Sequence, residues 1–221
     1  MQLLVSPQTL QSRQPGVLAE IVRPGVSICL WEREPPREVA QFLANYVKSQ
    51  ASLELDFVLK PEDLAATSRV IAKIFGNSPT DLVLQDWLND IDFLVKQFRE
   101  IAACSPVRVR LLRVIDTACS VFHVDHLSLR LLCTYHGAGT QWVPASEAQA
   151  AQLGLRGRSI QQANEAIVPN PGSIRSLSPW HVALIKGSGF VGDPESALIH
   201  RSHPQCCADH ARIRLVIDVA R

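Results

Sequence analysis

VFHVDHLSLRLLCTYHGAGTQWVP, residues 121–144, sets His123 and Asp125 two positions apart inside an otherwise apolar, two-residue repeat. On an extended strand, residues i and i+2 share a face roughly 6–7 Å apart at Cα, so the imidazole and the carboxylate converge while Val124 turns away. The same period recurs in VRVRLLRVID (107–116), SPWHVALIKG (178–187) and ARIRLVIDV (211–219), with Gly, Pro, Asn and Ser clusters between them. A set of strands after a helical first half predicts an α+β domain, a β-sandwich or barrel with helices packed on one sheet.

The first half reads differently. VSICLWER (26–33) leaves the Pro24-Gly25 turn as a strand, and Pro35-Pro36 opens a helix whose apolar members Val39, Phe42, Leu43, Tyr46 and Val47 follow the 3.6-residue period. LELDFVLK (53–60) is a further strand, and Pro61-Glu62-Asp63 starts a helix that stops near Gly76-Asn77. The clearest stripe follows, from Thr80 to Ala103, where Leu84, Trp87, Leu88, Ile91, Leu94, Val95, Phe98, Ile101 and Ala102 line one face as a packing surface. Residues 1–20 are expected to be a weakly structured lead-in, 21–105 the helix-rich N-terminal part of the same domain, and 106–221 the β core that carries the site.

Composition narrows the partners. With 47% hydrophobic residues and 22 basic against 21 acidic side chains, the chain has no basic footprint for phosphate backbones or anionic lipid, so neither nucleic acid nor a membrane is expected as a partner. No apolar run reaches the ~18 residues of a membrane span, and a basic segment leading into an apolar leader is missing, which predicts a cytoplasmic location. The six cysteines are spaced unlike a small disulfide scaffold, and Cys29, Cys104, Cys119 and Cys133 read as reduced core thiols. Oligomeric state leaves no trace in the sequence.

All seven histidines lie beyond residue 122, which locates the chemistry in the β-rich half. His123 and Asp125 form a two-ligand claw for a divalent metal, and His200, after the apolar approach Ala197–Ile199, is the candidate third ligand. Two imidazoles and one carboxylate leave three positions open on a six-coordinate metal, as in non-haem iron oxygenases, whereas structural zinc closes all four of its positions. A rival set lies in HRSHPQCCADH, where His203, Cys206, Cys207 and His210 have the softness for zinc. Arg130 is a structural ion-pair partner in its simplest reading, and a support for the ligands or a substrate contact in the other. Trp142 and Trp180 pack the core or wall the site, and Lys186 is a turn lysine.

His123-x-Asp125, the strand ending Thr134-Tyr135, the turn Gly137-Ala138-Gly139-Thr140, the distal His200-Arg201-Ser202 and an arginine about a dozen residues later resemble the Fe(II)- and 2-oxoglutarate-dependent dioxygenase superfamily. More closely, FHVDHLSLRLLCTYHGAGTQWVP with VALIKG and HRSHP is similar to a bacterial family, domain of unknown function 1826, over most of the chain and chiefly Ser105 to Asp218. The resemblance implies a double-stranded β-helix core of jelly-roll or cupin type in the C-terminal half, with the N-terminal helices on one sheet. It implies iron held by His123, Asp125 and His200, and a guanidinium on the last strand, Arg212 in preference to Arg214, gripping the distal carboxylate of 2-oxoglutarate. Thr134 or Tyr135 would add a hydroxyl to the cosubstrate. Decarboxylation of 2-oxoglutarate would then drive hydroxylation of a small molecule or a side chain, beneath a lid drawn from residues 145–178. A zinc-handling module built on the tail, and a β-sandwich that binds without catalysis, are the other two readings.

Overall fold

Along Arg212–Val219, the last strand, alternation sorts the molecule into layers: Ile213, Leu215 and Ile217 join the core beneath the helices, and Val216 joins a different one. The computed structural model describes residues 7–60, 70–71, 82–104, 106–117 and 119–220. Its strands are β1 (Gln8–Ser12), β2 (Val26–Trp31), β3 (Glu54–Leu59), β4 (Val107–Val114), β5 (Leu129–His136), β6 (Gln141–Val143), β7 (Arg175–Ser176), β8 (Val182–Lys186), β9 (Ile199–Arg201) and β10 (Arg212–Val219). The helices are α1 (Arg37–Lys48), α2 (Leu82–Ala102) and α3 (Ile160–Ile167).

A large sheet runs β1-β2-β8-β5-β10-β4-β3, antiparallel except at β1–β2, and a small sheet runs β7-β6-β9. One face of the large sheet packs on the helices, where the α2 stripe of Leu84, Trp87, Leu88, Ile91, Leu94, Val95 and Phe98 is buried as its spacing predicts. The other face meets the small sheet: Leu30, Leu132, Ile185 and Val216 pack against Trp142 and Leu198. This is an α+β jelly roll, a double-stranded β-helix with helices on one sheet.

The N-terminal part contributes more than helices. β1 and β2 extend one edge of the large sheet and β3 closes the other. Within residues 1–20, expected to be a weakly structured lead-in, Gln8–Ser12 forms β1 and a 3-10 helix begins that runs over Pro15–Val22 and buries Leu18 and Ile21. β2 is buried along nearly its whole length because it lies between two strands with both faces covered, so it lacks the polar alternation of a surface strand. Of the helix expected after Pro61 only Val70 and Ile71 are described, and both are helical; the Thr80 start of the long one lies outside the described residues. Among the described residues no helix is long and apolar enough to cross a membrane.

Phe98→Ala, at a fully buried position, is expected to lower the unfolding free energy by about 3–5 kcal/mol in urea titrations. Val191→Ala, where the side chain is 93% exposed, is expected to change it by less than about 0.5 kcal/mol.

Candidate metal centre

VFHVDHLSLRLLCTY does not run as one strand. His123 bridges β9 on the small sheet, and the chain turns through residues 126–128 before entering β5 on the large one. His123 and His200 oppose each other and exchange both backbone hydrogen bonds: the His123 N–H donates to the His200 carbonyl at 3.0 Å, and the His200 N–H to the His123 carbonyl at 2.9 Å. Opposed residues on paired strands project to one face, and the ring centroids stand 4.6 Å apart. Asp125 arrives beside them, its Oδ2 3.4 Å from His200 Nε2 and its Oδ1 3.9 Å from His123 Nε2. The ligand atoms of all three lie within 4.8 Å of one another, and among the described residues this is the group so arranged.

The tautomers follow from the neighbours. His123 Nδ1 donates to the Val121 carbonyl at 2.9 Å and His200 Nδ1 to the Leu198 carbonyl at 3.1 Å. Nε2 is therefore the ring nitrogen that each imidazole turns toward the carboxylate. Burial, the largest influence, lowers the His200 pKa to about 4 against the opposing pull of Asp125, so this ring is neutral at pH 7. Three electron-pair donors facing one point repel each other unless a cation lies between them, and hydrogen-bonded imidazoles beside a carboxylate are the usual dress of a metal site.

Further residues hold the carboxylate in place. Arg130 donates from Nη1 to Asp125 Oδ2 at 2.7 Å, and from Nε and Nη2 to Asp218 at 2.6 and 3.0 Å; Arg110 also bonds Asp218. One oxygen of Asp125 is thus committed to the guanidinium and the other is available. Behind it, the turn after β8 presses backbone against backbone: the Ser188 N–H donates to the Asp125 carbonyl at 2.8 Å, and a Cβ at Gly187 would come within 2.2 Å of the Leu127 carbonyl oxygen and 2.6 Å of that of Asp125. Asn164 of α3 clamps the approach to His123, accepting from the Phe122 N–H and donating to the Ser120 carbonyl, each at 2.9 Å. The insert 145–178 thus packs directly against the segment bearing His123.

On β10, Arg212 and Arg214 alternate with the helix-side residues and share the face of Val216. Arg212 is fully buried; its Nη1 donates weakly to the Ala138 carbonyl at 3.4 Å, and its Nε and Nη2 have no partner. Arg214 leaves its Nε unpartnered, and burial together with the nearby Arg212 and Arg110 lowers its pKa to about 10. Neither forms an ion pair among the described residues. Thr134 stands opposite Arg214 in the β5–β10 register.

Tyr135 does not belong with them. It faces the helices, where its hydroxyl donates to Asp90 at 2.7 Å within the network of Arg33, Asp90 and Trp180, so the expected contact with a cosubstrate is corrected. Trp142 lies between the sheets beside His200 in register. Lys186 is fully buried, not a surface turn lysine, and donates to Asp193 at 2.5 Å and to the Arg23 carbonyl at 2.8 Å. The rival zinc set is not assembled: Cys206 turns its thiol to the Val114 carbonyl at 3.3 Å, Cys207 and His210 are exposed, and no three tail residues converge among those described.

A family model described as "Protein of unknown function (DUF1826)" matches residues 12–218. No curated protein matches the chain. Among solved structures, the chain is similar to the rice dioxygenase for auxin oxidation, with 13% identity over 96% of this chain and 82% of that one and a TM-score of 0.42. It is also similar to a Pseudomonas putida prolyl-4-hydroxylase, with 9% identity, 93% and 97% coverage and a TM-score of 0.45. A third is the dioxygenase for auxin oxidation 1 of Arabidopsis thaliana in its 2-oxoglutarate complex, with 10% identity, 96% and 92% coverage and a TM-score of 0.44.

Arg130→Met is expected to weaken Co(II) binding by about 10- to 100-fold in calorimetric titrations, because Asp125 loses its orienting partner. Arg130→Lys, which keeps the charge without the fork, is expected to recover part of that loss.

Proposed function

We propose that this chain, which belongs to the DUF1826 family, is a mononuclear Fe(II)- and 2-oxoglutarate-dependent oxygenase acting on a small molecule or a side chain. The observation that carries the reading is the convergence of two imidazole Nε2 atoms and one carboxylate, held from behind by carbonyls and a guanidinium. Two nitrogens and one oxygen donor suit iron and leave half of an octahedron for other ligands. The wider spacing at His123, whose side chain is 35% exposed, leaves that ring free to close the last distance onto an ion.

The orphaned guanidinium supports the second half of the reading. Nε and Nη2 of Arg212 are the pair that meets a carboxylate side-on with two parallel bonds, and both are buried without an acceptor. A buried, unpaired cation is costly, so a dicarboxylate whose far end reaches Arg212 would relieve a penalty the free protein carries. Arg214 adds positive potential on the same face, and Thr134 offers a hydroxyl beside it. When bound, iron and 2-oxoglutarate supply the oxidising power for cleaving a substrate C–H bond.

The chain's own work is then positioning and exclusion of water. His123, His200 and Asp125 would hold the metal through the two Nε2 atoms and one carboxylate oxygen. Arg130 occupies Oδ2 of Asp125, which would leave Oδ1 for the ion, and Asp218 fixes Arg130 in turn. Leu132, Val216 and Trp142 keep the space between the sheets dry, which strengthens the charge pairing of Arg212 with an anion.

Purified protein given Fe(II) and 2-oxoglutarate is expected to form succinate, and His123→Ala or His200→Ala to abolish both succinate formation and metal binding. Arg212→Met is expected to leave Co(II) binding intact, to weaken 2-oxoglutarate by roughly 30-fold or more, and to raise the melting temperature of the free protein by removing an unpaired buried charge. Folded wild-type protein that binds neither Fe(II) nor 2-oxoglutarate overturns the reading.

A further inference from the structure

A groove of about 740 Å³ opens beside His123, within the size range that holds a drug-sized molecule. Its floor is the ligand-bearing segment, including Phe122 and Val124, and its far wall is the insert, through Leu153, Leu155 and Ile160. No Lys, Arg, Asp or Glu stands among the described residues that line it. His123 is both a wall of the groove and the more exposed of the two imidazoles, so the groove leads to the candidate metal.

Two of its apolar walls face solvent. Leu155 is 48% and Ile160 50% exposed, an arrangement that forgoes the burial such side chains ordinarily gain. The loop presenting them is not slack. Arg158 donates from Nη2 to the carbonyls of Gln152 at 2.8 Å and Gly154 at 3.2 Å, and from Nε to that of Leu155 at 3.2 Å. A reciprocal cap between Ser159 and Gln162 starts α3 so that Ile160 is its first residue. The chain therefore spends ordered hydrogen bonds on holding apolar surface open to water next to a metal-binding ring.

We propose that this groove binds the substrate, and that the part of the substrate it takes is an uncharged aliphatic or aromatic group of a small molecule, with Leu155 and Ile160 determining specificity. The proposal deepens the oxygenase reading and rests on it for the word substrate. A charged group entering the groove would lose its hydration with no opposite charge to replace it, whereas each methylene laid on Val124, Leu155 and Ile160 leaves water at both surfaces.

The test uses the full-length protein, with the methyl resonances of Leu155 and Ile160 as reporters and diols as probes. Affinity is expected to rise about four-fold for each methylene from butane-1,4-diol to octane-1,8-diol. Octanedioate and 1,8-diaminooctane, which must carry one charge into the groove, are expected to bind about ten-fold or more weakly than octane-1,8-diol. Leu155→Glu is expected to remove the length dependence, and Val191→Glu, at a remote exposed position, to preserve it. Equal binding of diol and doubly charged probes, or affinity independent of chain length, overturns the proposal. Fe(II) and 2-oxoglutarate titrations on the same sample keep the two readings apart: a groove that selects diols in a protein binding no metal sinks the oxygenase and leaves an apolar-ligand site standing.

Discussion

The pairing of His123 with His200 is the constraint on which the site depends. Two backbone hydrogen bonds between residues from distant parts of the chain set both imidazoles on one face, and only then can Asp125, two positions on, complete a set of three donors. A one-residue slip at this bridge would send both rings to opposite sides of the sheet. Much of the surrounding construction prevents that slip. Asn164 grips the backbone on one side of His123, the turn after β8 braces it on the other, and Trp142 holds β9 in register from β6.

The large sheet has two electrostatic personalities. Toward the helices its polar groups are matched: Arg33, Asp90 and Tyr135 satisfy one another, and the charge on Arg33 also lies over the Trp31 and Trp180 rings. Toward the small sheet, Arg110 and Arg130 share Asp218, and Arg130 reaches Asp125, but Arg212 and Arg214 pair with no acid among the described residues. A fold that pairs its buried charges elsewhere and leaves these two unmatched concentrates positive potential where an anion would enter.

Period and parity made much of this legible beforehand. The long stripe from Leu84 to Phe98 announces its packing face, and alternation in ARIRLVIDV puts Arg212 and Arg214 on one side. The claw of His123 and Asp125 is visible from spacing alone, and His200 from its position in the resemblance. Parity also separates Thr134 from Tyr135, since adjacent strand residues face opposite ways and only one of them can look into the site. Other features have no local signal. Asn164 and Asp218 act across long stretches of chain, on backbone and side-chain groups that no periodicity connects to them. The Cys206-Cys207 tail looks like a zinc knot because composition says nothing about direction, and in the fold Cys206 is spent on a carbonyl. β1 was missed because a short parallel edge strand borrows its stability from its neighbour and carries little pattern of its own.

Gly187 carries a consequence for how such a site can change over time. Its missing side chain lets one main chain lie directly on another, so the carboxylate arm takes its position from rigid peptide planes and not from neighbours that can repack. Leu155 and Ile160, on the far wall of the adjoining groove, take no part in that backbone contact. The carboxylate's place is thus set by main chain, and any side chain at position 187 would have to displace the very backbone that bears it.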